Sequence, residues 1–343
     1  MKKGLFSWGT LLFVCLIIAT GCQKQNDAIA DQNNFEKESI AAIIQNPNTS
    51  FTVKGGTGST ISSRASAGKK VKFTYLAVAL ARTGLTSTLS TLGTNYTLFA
   101  PTDDAFIAAG FKTIQDVVKA PKEVLTPILL YHVLGAKVLA AQVPAGPNAA
   151  VTTLNGATAY VTSNSNGVFI NGSPVIVADV KAANGVIHVI DNILMPPSGN
   201  IVATALADKD FTYLVAAVLR ASQGATNVAA LLSGDGPLTV FAPRNQAFID
   251  AGFNTIADIN AADPDELTKI LAYHVVVGRV FSSDLTNDMS VPMFAGGNTI
   301  ITLNGGAKIL GEGNGTDAHN IIKTDIVTTN GVIHVIDGVL LPE

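Results

Sequence analysis

Five histidines are the only side chains here whose ordinary titration falls near neutral pH, and four of them come in matched pairs. His132 follows Tyr131 and His274 follows Tyr273, each closing an apolar stretch. His188 stands three residues before Asp191, and His334 three before Asp337. A His-x-x-Asp pair is raw material for acid–base catalysis or metal binding, provided that the two side chains converge. The run that holds it, Val-Ile-His-Val-Ile-Asp, is β-branched and reads as a strand. Side chains alternate along a strand, so Val186, His188 and Ile190 face one way and Ile187, Val189 and Asp191 the other. His188, Asp191, His334 and Asp337 are therefore read as structural, the imidazoles buried and hydrogen-bonded to backbone or to a neighbouring side chain. The Tyr-His pairs end helical stretches at residues 125–130 and 267–272, where a histidine helps to satisfy terminal carbonyls. If exposed, they would make aromatic anchors, and Tyr131, His132, Tyr273 and His274 are carried forward as candidate binding residues. His319, alone in a polar loop, is expected to be solvated.

No other catalytic pattern appears. There is no nucleophile elbow, no HExxH helix and no paired-carboxylate motif. Gly68-Lys69 lacks a glycine five residues earlier and is followed by Lys70, so the phosphate-loop pattern fails. Cys15 and Cys22 both lie in the first 22 residues, which removes disulfides and thiolate metal sites from the rest. No cofactor and no metal are expected.

The elements that must position these residues are written twice. Tyr96-Thr-Leu-Phe-Ala-Pro-Thr-Asp-Asp-Ala-Phe106 is matched by Leu238-Thr-Val-Phe-Ala-Pro-Arg-Asn-Gln-Ala-Phe248. Asn184-Gly-Val-Ile-His-Val-Ile-Asp191 is matched by Asn330-Gly-Val-Ile-His-Val-Ile-Asp337. The copies are offset by 142 residues at the first block and at the Tyr-His pair, but by 146 at the last block, so a loop after His132 or its counterpart differs in length. In the first block Thr97 to Phe99 has strand composition, Pro101 stops it, and Asp103 or Asp104 can start a helix. Copy two carries Asn245 and Gln246 there, so that carboxylate pair is no shared machinery. Asn-Gly predicts the left-handed residues of a tight hairpin turn. Upstream, Phe73-Thr-Tyr-Leu and Phe211-Thr-Tyr-Leu open helices whose apolar positions read as core.

The Thr-x-Phe-Ala-Pro box, the Tyr-His pair and the Asn-Gly-Val-Ile-His-x-Ile-Asp box, in this order, resemble the fasciclin family. The resemblance implies an α+β fold of two tandem fasciclin-like domains, residues 71–197 and 199–343, each a β-strand wedge packed with helices. It implies adhesion or binding rather than catalysis. Asp325-Ile326 matches a dipeptide linked with cell-receptor binding in animal fasciclin domains, which adds Asp325 and Ile326 to the candidate binding residues; copy one has Asp179-Val180.

Lys2 and Lys3 precede an apolar stretch that reaches Ala19-Thr-Gly-Cys22, the grammar of a signal peptide over residues 1–21. The ending resembles a bacterial lipobox, with Cys22 acylated as the mature N-terminus. At about 0.8 kcal/mol per buried methylene, several acyl chains anchor stably where one would be marginal. Residues 22–70 read as a polar tether and linker, within which residues 36–44 form a short amphipathic helix with no identified partner. Formal charge is -3, and loss of the leader leaves 20 basic against 25 acidic groups, so no basic stripe exists for nucleic acid. With 48% hydrophobic and 14% charged residues, the chain is no disordered polyelectrolyte. The expected protein is a lipid-anchored adhesion lipoprotein of the cell envelope, at the outer membrane, that binds a matrix protein, a glycan or a cell-surface protein. The alternative is a small-ligand binder for lipid or glycan, which a deep pocket would favour over a flat face.

Overall fold

The computed structural model describes residues 35–53 and 68–343. Residues 1–21, read from the sequence as a signal peptide, and Cys22 lie outside the described residues. The first helix, α1 (Ile40–Gln45), starts at Ser39, whose hydroxyl accepts from Ala42 N, and it buries Ile40, Ala41, Ile43 and Ile44. Behind it, β1 (Phe51–Thr52) pairs with β2 (Lys70–Val71). Residues 35–53 thus belong to the first domain, which corrects their assignment to the tether. Three isoleucines on one short helix, with Phe51 and Val53, form an apolar face that only a core can bury.

The first domain continues through α2 (Thr74–Thr83), α3 (Leu85–Ser90), β3 (Tyr96–Pro101), α4 (Asp103–Ala108), α5 (Ile114–Lys119), α6 (Lys122–Tyr131) and β4 (Val133–Leu134). It closes with β5 (Gly146–Thr152), β6 (Thr158–Asn164), β7 (Gly167–Ile170), β8 (Ser173–Ala182) and β9 (Gly185–Ile190). The strands form one sheet in the order β4-β3-β9-β8-β7-β6-β5, with β3 and β9 parallel. Register shifts within β8 let its start pair with β7 and its end with β9, which bends the sheet into a wedge. Alternation on β9 then serves two cores. Ile187 and Val189 join the helices, and Ile190 joins Phe99, Tyr131 and Ile170 between the arms of the wedge.

The second domain repeats the plan. Its helices are α7 (Ile201–Ala207), α8 (Thr212–Ala221), α9 (Val228–Ser233), α10 (Asn245–Asp250), α11 (Ile256–Ala261) and α12 (Pro264–Ala272). Its strands are β10 (Leu238–Pro243), β11 (Val275–Val277), β12 (Met289–Pro292), β13 (Asn298–Thr302), β14 (Lys308–Gly311), β15 (His319–Thr328) and β16 (Gly331–Ile336), ordered β11-β10-β16-β15-β14-β13-β12. The extra length sits between β14 and β15, at residues 312–318, where the first domain needs only Asn171 and Gly172.

Candidate functional site

The motif residues meet in a polar lattice that is built twice. His132 lies against the Ile128 carbonyl through Nδ1 (2.7 Å) and accepts from Leu194 N at Nε2 (2.9 Å). His274 repeats this with Ile270 O (2.8 Å) and Leu340 N (2.9 Å). Each ring is a neutral clasp between a helix end and the chain after the central strand. Burial holds both pKa values down to about 4, against a smaller upward pull from the helix carbonyl. Tyr131 and Tyr273 are fully buried. The Tyr131 hydroxyl donates to Thr158 O and accepts from Asn171 Nδ2, both at 2.9 Å, and burial raises its pKa to about 12. These four residues, candidate binding residues only if exposed, lie in the core, where both polar ends of each pair find partners inside.

His188 and His334 use the opposite tautomer. Each presents Nε2 to a loop carbonyl, Val138 O at 2.9 Å or Val280 O at 2.8 Å, and takes a backbone N–H at Nδ1 from Asp179 or Asp325. The rings stack on Phe99 and Phe241, their partners across the parallel strands. Burial lowers the pKa of His188, so its 4.0 Å approach to the Asp179 carboxylate is no ion pair at neutral pH. Asp191 is buried beside Asn192, and Asp337 binds the backbone and side chain of Asn320 at 2.7 Å, away from the histidines. His319 is half-buried rather than solvated, its Nε2 3.1 Å from Val339 O.

The Asn-Gly corners work differently from the expected left-handed turn. Asn184 and Asn330 are not among the residues of positive φ. Their side chains instead clamp two helices: Asn184 accepts from Ile40 N (2.9 Å) and donates to Leu89 O (2.8 Å), and Asn330 accepts from Ile201 N (2.9 Å) and donates to Leu232 O (2.9 Å). Glycine follows because a Cβ at Gly185 or Gly331 would strike the carbonyl of Tyr96 or Leu238 on the neighbouring strand.

Asp179 (φ 59°) and Asp325 (φ 64°) are left-handed instead, at the irregular part of β8 and β15. Their carboxylates accept from Ala140 N (2.8 Å) and Ser282 N (2.7 Å), starting a short 3₁₀ turn in the loop after β4 or β11. Thr97 and Thr239 pin the same loops by accepting from Val138 N and Val280 N, both at 2.9 Å. Asp325-Ile326, a candidate binding dipeptide in the sequence, is half-buried and also serves the fold. Asp325 holds a loop and abuts Gly172 of the first domain, and Ile326 packs on the second core.

In the second domain the pinned loop, residues 279–284, docks on the β5–β6 face of the first. Asn148 Nδ2 donates to Arg279 O (2.6 Å) and Asn164 Nδ2 to Ser283 O (2.9 Å). The Arg279 guanidinium lies 4.1 Å over the Tyr160 ring, and Phe281 is 6.0 Å from it. A desolvated cation–π contact is worth roughly 1–2 kcal/mol. Replacing Arg279 by Ala should therefore separate the two domains' melting transitions in calorimetry. Transitions that stay as closely coupled as in the parent chain would show that this contact does not join them.

An apolar cavity of about 70 Å³ opens among α7, α8, α9 and the sheet of the second domain. His274 is the only titratable side chain on its wall, and both of its ring nitrogens are occupied. Leu206 and Leu219 line it while remaining 62% and 58% exposed. At matching positions the first domain carries Gln45 and Ala81, and Ile44 fills the place of Ala205. Among the described residues no group of three His, Cys, Asp or Glu could hold a metal ion, and no helix is long and apolar enough to cross a membrane.

Two α+β units, each with a bent seven-stranded sheet and the same histidine clasps, define a duplicated domain. The chain matches the Fasciclin domain over residues 71–196 and 209–342 and belongs to that family. It is 28% identical over 256 residues to transforming growth factor-beta-induced protein ig-h3 of Sus scrofa, covering 73% of this chain and 35% of that one. It thus spans about a third of that relative's length. Protein sll1483 of Synechocystis is 40% identical over 126 residues, which is 36% of this chain and 68% of that one. A solved FAS1 domain pair from the insect cell adhesion molecule Fasciclin I covers 78% of this chain and 95% of its own, at 20% identity and a TM-score of 0.38. Fasciclin domains occur in cell-adhesion and extracellular proteins.

Proposed function

We propose that this chain is a surface-tethered binding protein without catalytic activity, acylated at Cys22 and displayed from the outer membrane to adhere to a matrix protein, a glycan or a cell-surface protein. The observation that carries the reading is where the motif chemistry goes. The imidazoles of His132, His188, His274 and His334 are all engaged by backbone groups, so interaction falls to exposed surface. Linking two domains on one tether adds avidity to weak contacts. Labelled fatty acid should enter the parent chain and not the Cys22→Ala variant, and the mature chain should bind members of an array of matrix proteins and glycans. Label in the variant would place the anchor elsewhere, and an array without a bound member would remove the adhesive reading.

The cavity of the second domain supports a second reading, in which that domain takes an aliphatic chain. Its wall offers no free polar group for a sugar, which favours lipid over glycan. Quenching of an alkyl-chain probe by the protein, reduced in Ala205→Phe, would support it; no saturable binding would end it.

A further inference from the structure

The contact between the domains joins unlike surfaces, a loop of the second domain and a sheet face of the first. Such a contact leaves one unused copy of each surface, the loop of the first domain and the face of the second. The unused loop is Lys137–Gln142, pinned as its counterpart is by Thr97, His188 and Asp179. Lys137, Ala141 and Gln142 are exposed on it.

The unused face can be read off strand register. Ala149 pairs with Val161 as Met289 pairs with Ile301. Asn148 therefore corresponds to Asp288, Tyr160 to Ile300 and Thr162 to Thr302. Asn148 and Asp288 share the left-handed backbone, with φ of 64° and 59°. Asp288 and Ile300 are exposed, the latter by 37%.

Around the Arg279–Tyr160 contact the substitutions come in pairs, whereas at the place of Gly172, which Asp325 abuts, the second domain carries residues 312–318. On the loop, Lys137 replaces Arg279, Leu139 replaces Phe281 and Gln142 replaces Asp284. On the face, Ile300 replaces Tyr160 and Asp288 replaces Asn148, while the threonine that donates to Asp284 is retained as Thr302. An arginine stacked on a tyrosine becomes a lysine stem over an isoleucine. The asparagine whose amide donates to the backbone carbonyl of that arginine is replaced by a carboxylate, opposite in charge to the lysine of the loop. Loop and face thus differ together, a cation with an aliphatic stem on one and a carboxylate beside an isoleucine on the other.

We infer that the Lys137–Gln142 loop of one chain docks on the Asp288–Ile300 face of a second copy, extending the domain stack head to tail. A contact of this kind need not close on itself, so the product is an open row of chains rather than a fixed dimer. The inference goes beyond the proposed adhesion, since binding to a matrix or glycan does not require it.

Sedimentation velocity on the mature chain, over a hundredfold range of concentration at low salt, tests the docking. The expected result is a sedimentation coefficient that rises with concentration, and does so less at high salt because the pair is exposed. Lys137→Glu and Asp288→Lys should each remove the rise. Mixing the two variants should restore it, since every loop then meets a face of opposite charge. A parent chain that stays monomeric throughout, or variants that assemble as well as the parent, would overturn the inference. Array binding by a chain that stays monomeric would leave the adhesive reading standing and refute only the head-to-tail contact.

Discussion

A chain shortened to begin at Lys70 will lose the fold of its first domain and keep that of its second. The deletion removes Ile40, Ile43 and Ile44, all at most 3% exposed, together with Phe51 and Val53 from the same core. Truncating one buried isoleucine to alanine costs about 2–5 kcal/mol, so losing three exceeds or matches the roughly 5–15 kcal/mol by which a domain is stable. The deletion also takes away Ile40 N, the donor to the buried Asn184 side chain. Calorimetry should show one transition where the parent chain shows the unfolding of two domains. The milder Ile43→Ala should lower the first domain's stability by about 2–5 kcal/mol without abolishing it. A shortened chain that still unfolds as two domains would show that α1 is an accessory and not part of the core.

Acid will destabilise both domains before most of their carboxylates titrate. In the unfolded chain His132 and His274 take up protons near pH 6.5, but in the folded chain burial holds them neutral down to about 4. A group whose folded pKa is depressed in this sense contributes fully above 6.5, and its contribution is lost as pH falls toward 4. At about 1.4 kcal/mol per unit, the loss is about 3 kcal/mol for each domain. His188, also depressed by burial, adds to the loss in the first domain. Urea unfolding at pH 7 and at pH 4.5 should show the difference. In His132→Gln the first domain should be weaker at pH 7 and flatter with pH, which isolates the histidine from titrating carboxylates. Equal midpoints at the two pH values in the parent chain would mean that the rings are not buried as bases.

The duplicated blocks made the two domains legible, and strand alternation separated His188 from Asp191, because both depend on local pattern. What escaped depended on partners far along the chain. Asn184 lies 144 residues from Ile40. Ser39 followed by Ile-Ala-Ala-Ile-Ile had the grammar of a capped amphipathic helix, but its relation to Ile201–Ala207 was hidden because residues 46–73 separate α1 from α2 while α7 nearly adjoins α8. Asn-Gly suggested a backbone conformation where the asparagine supplies a side-chain clamp. Asp179 and Asp325 carried a readable hint. An aspartate before a β-branched residue, five positions ahead of Asn-Gly in both copies, suits a bulge in which aspartate tolerates positive φ. Tyr160 and Arg279 offered no such hint, since neither belongs to a shared block.

The central claim is that the chain holds surfaces together from a lipid tether. Liposomes carrying the acylated chain, driven in flow across immobilised matrix proteins, glycans and the chain itself, test it most directly. The account predicts that they are retained on at least one of these surfaces, that free mature chain competes them off, and that bare liposomes pass. Liposomes that carry the chain and pass every surface as bare ones do would contradict it.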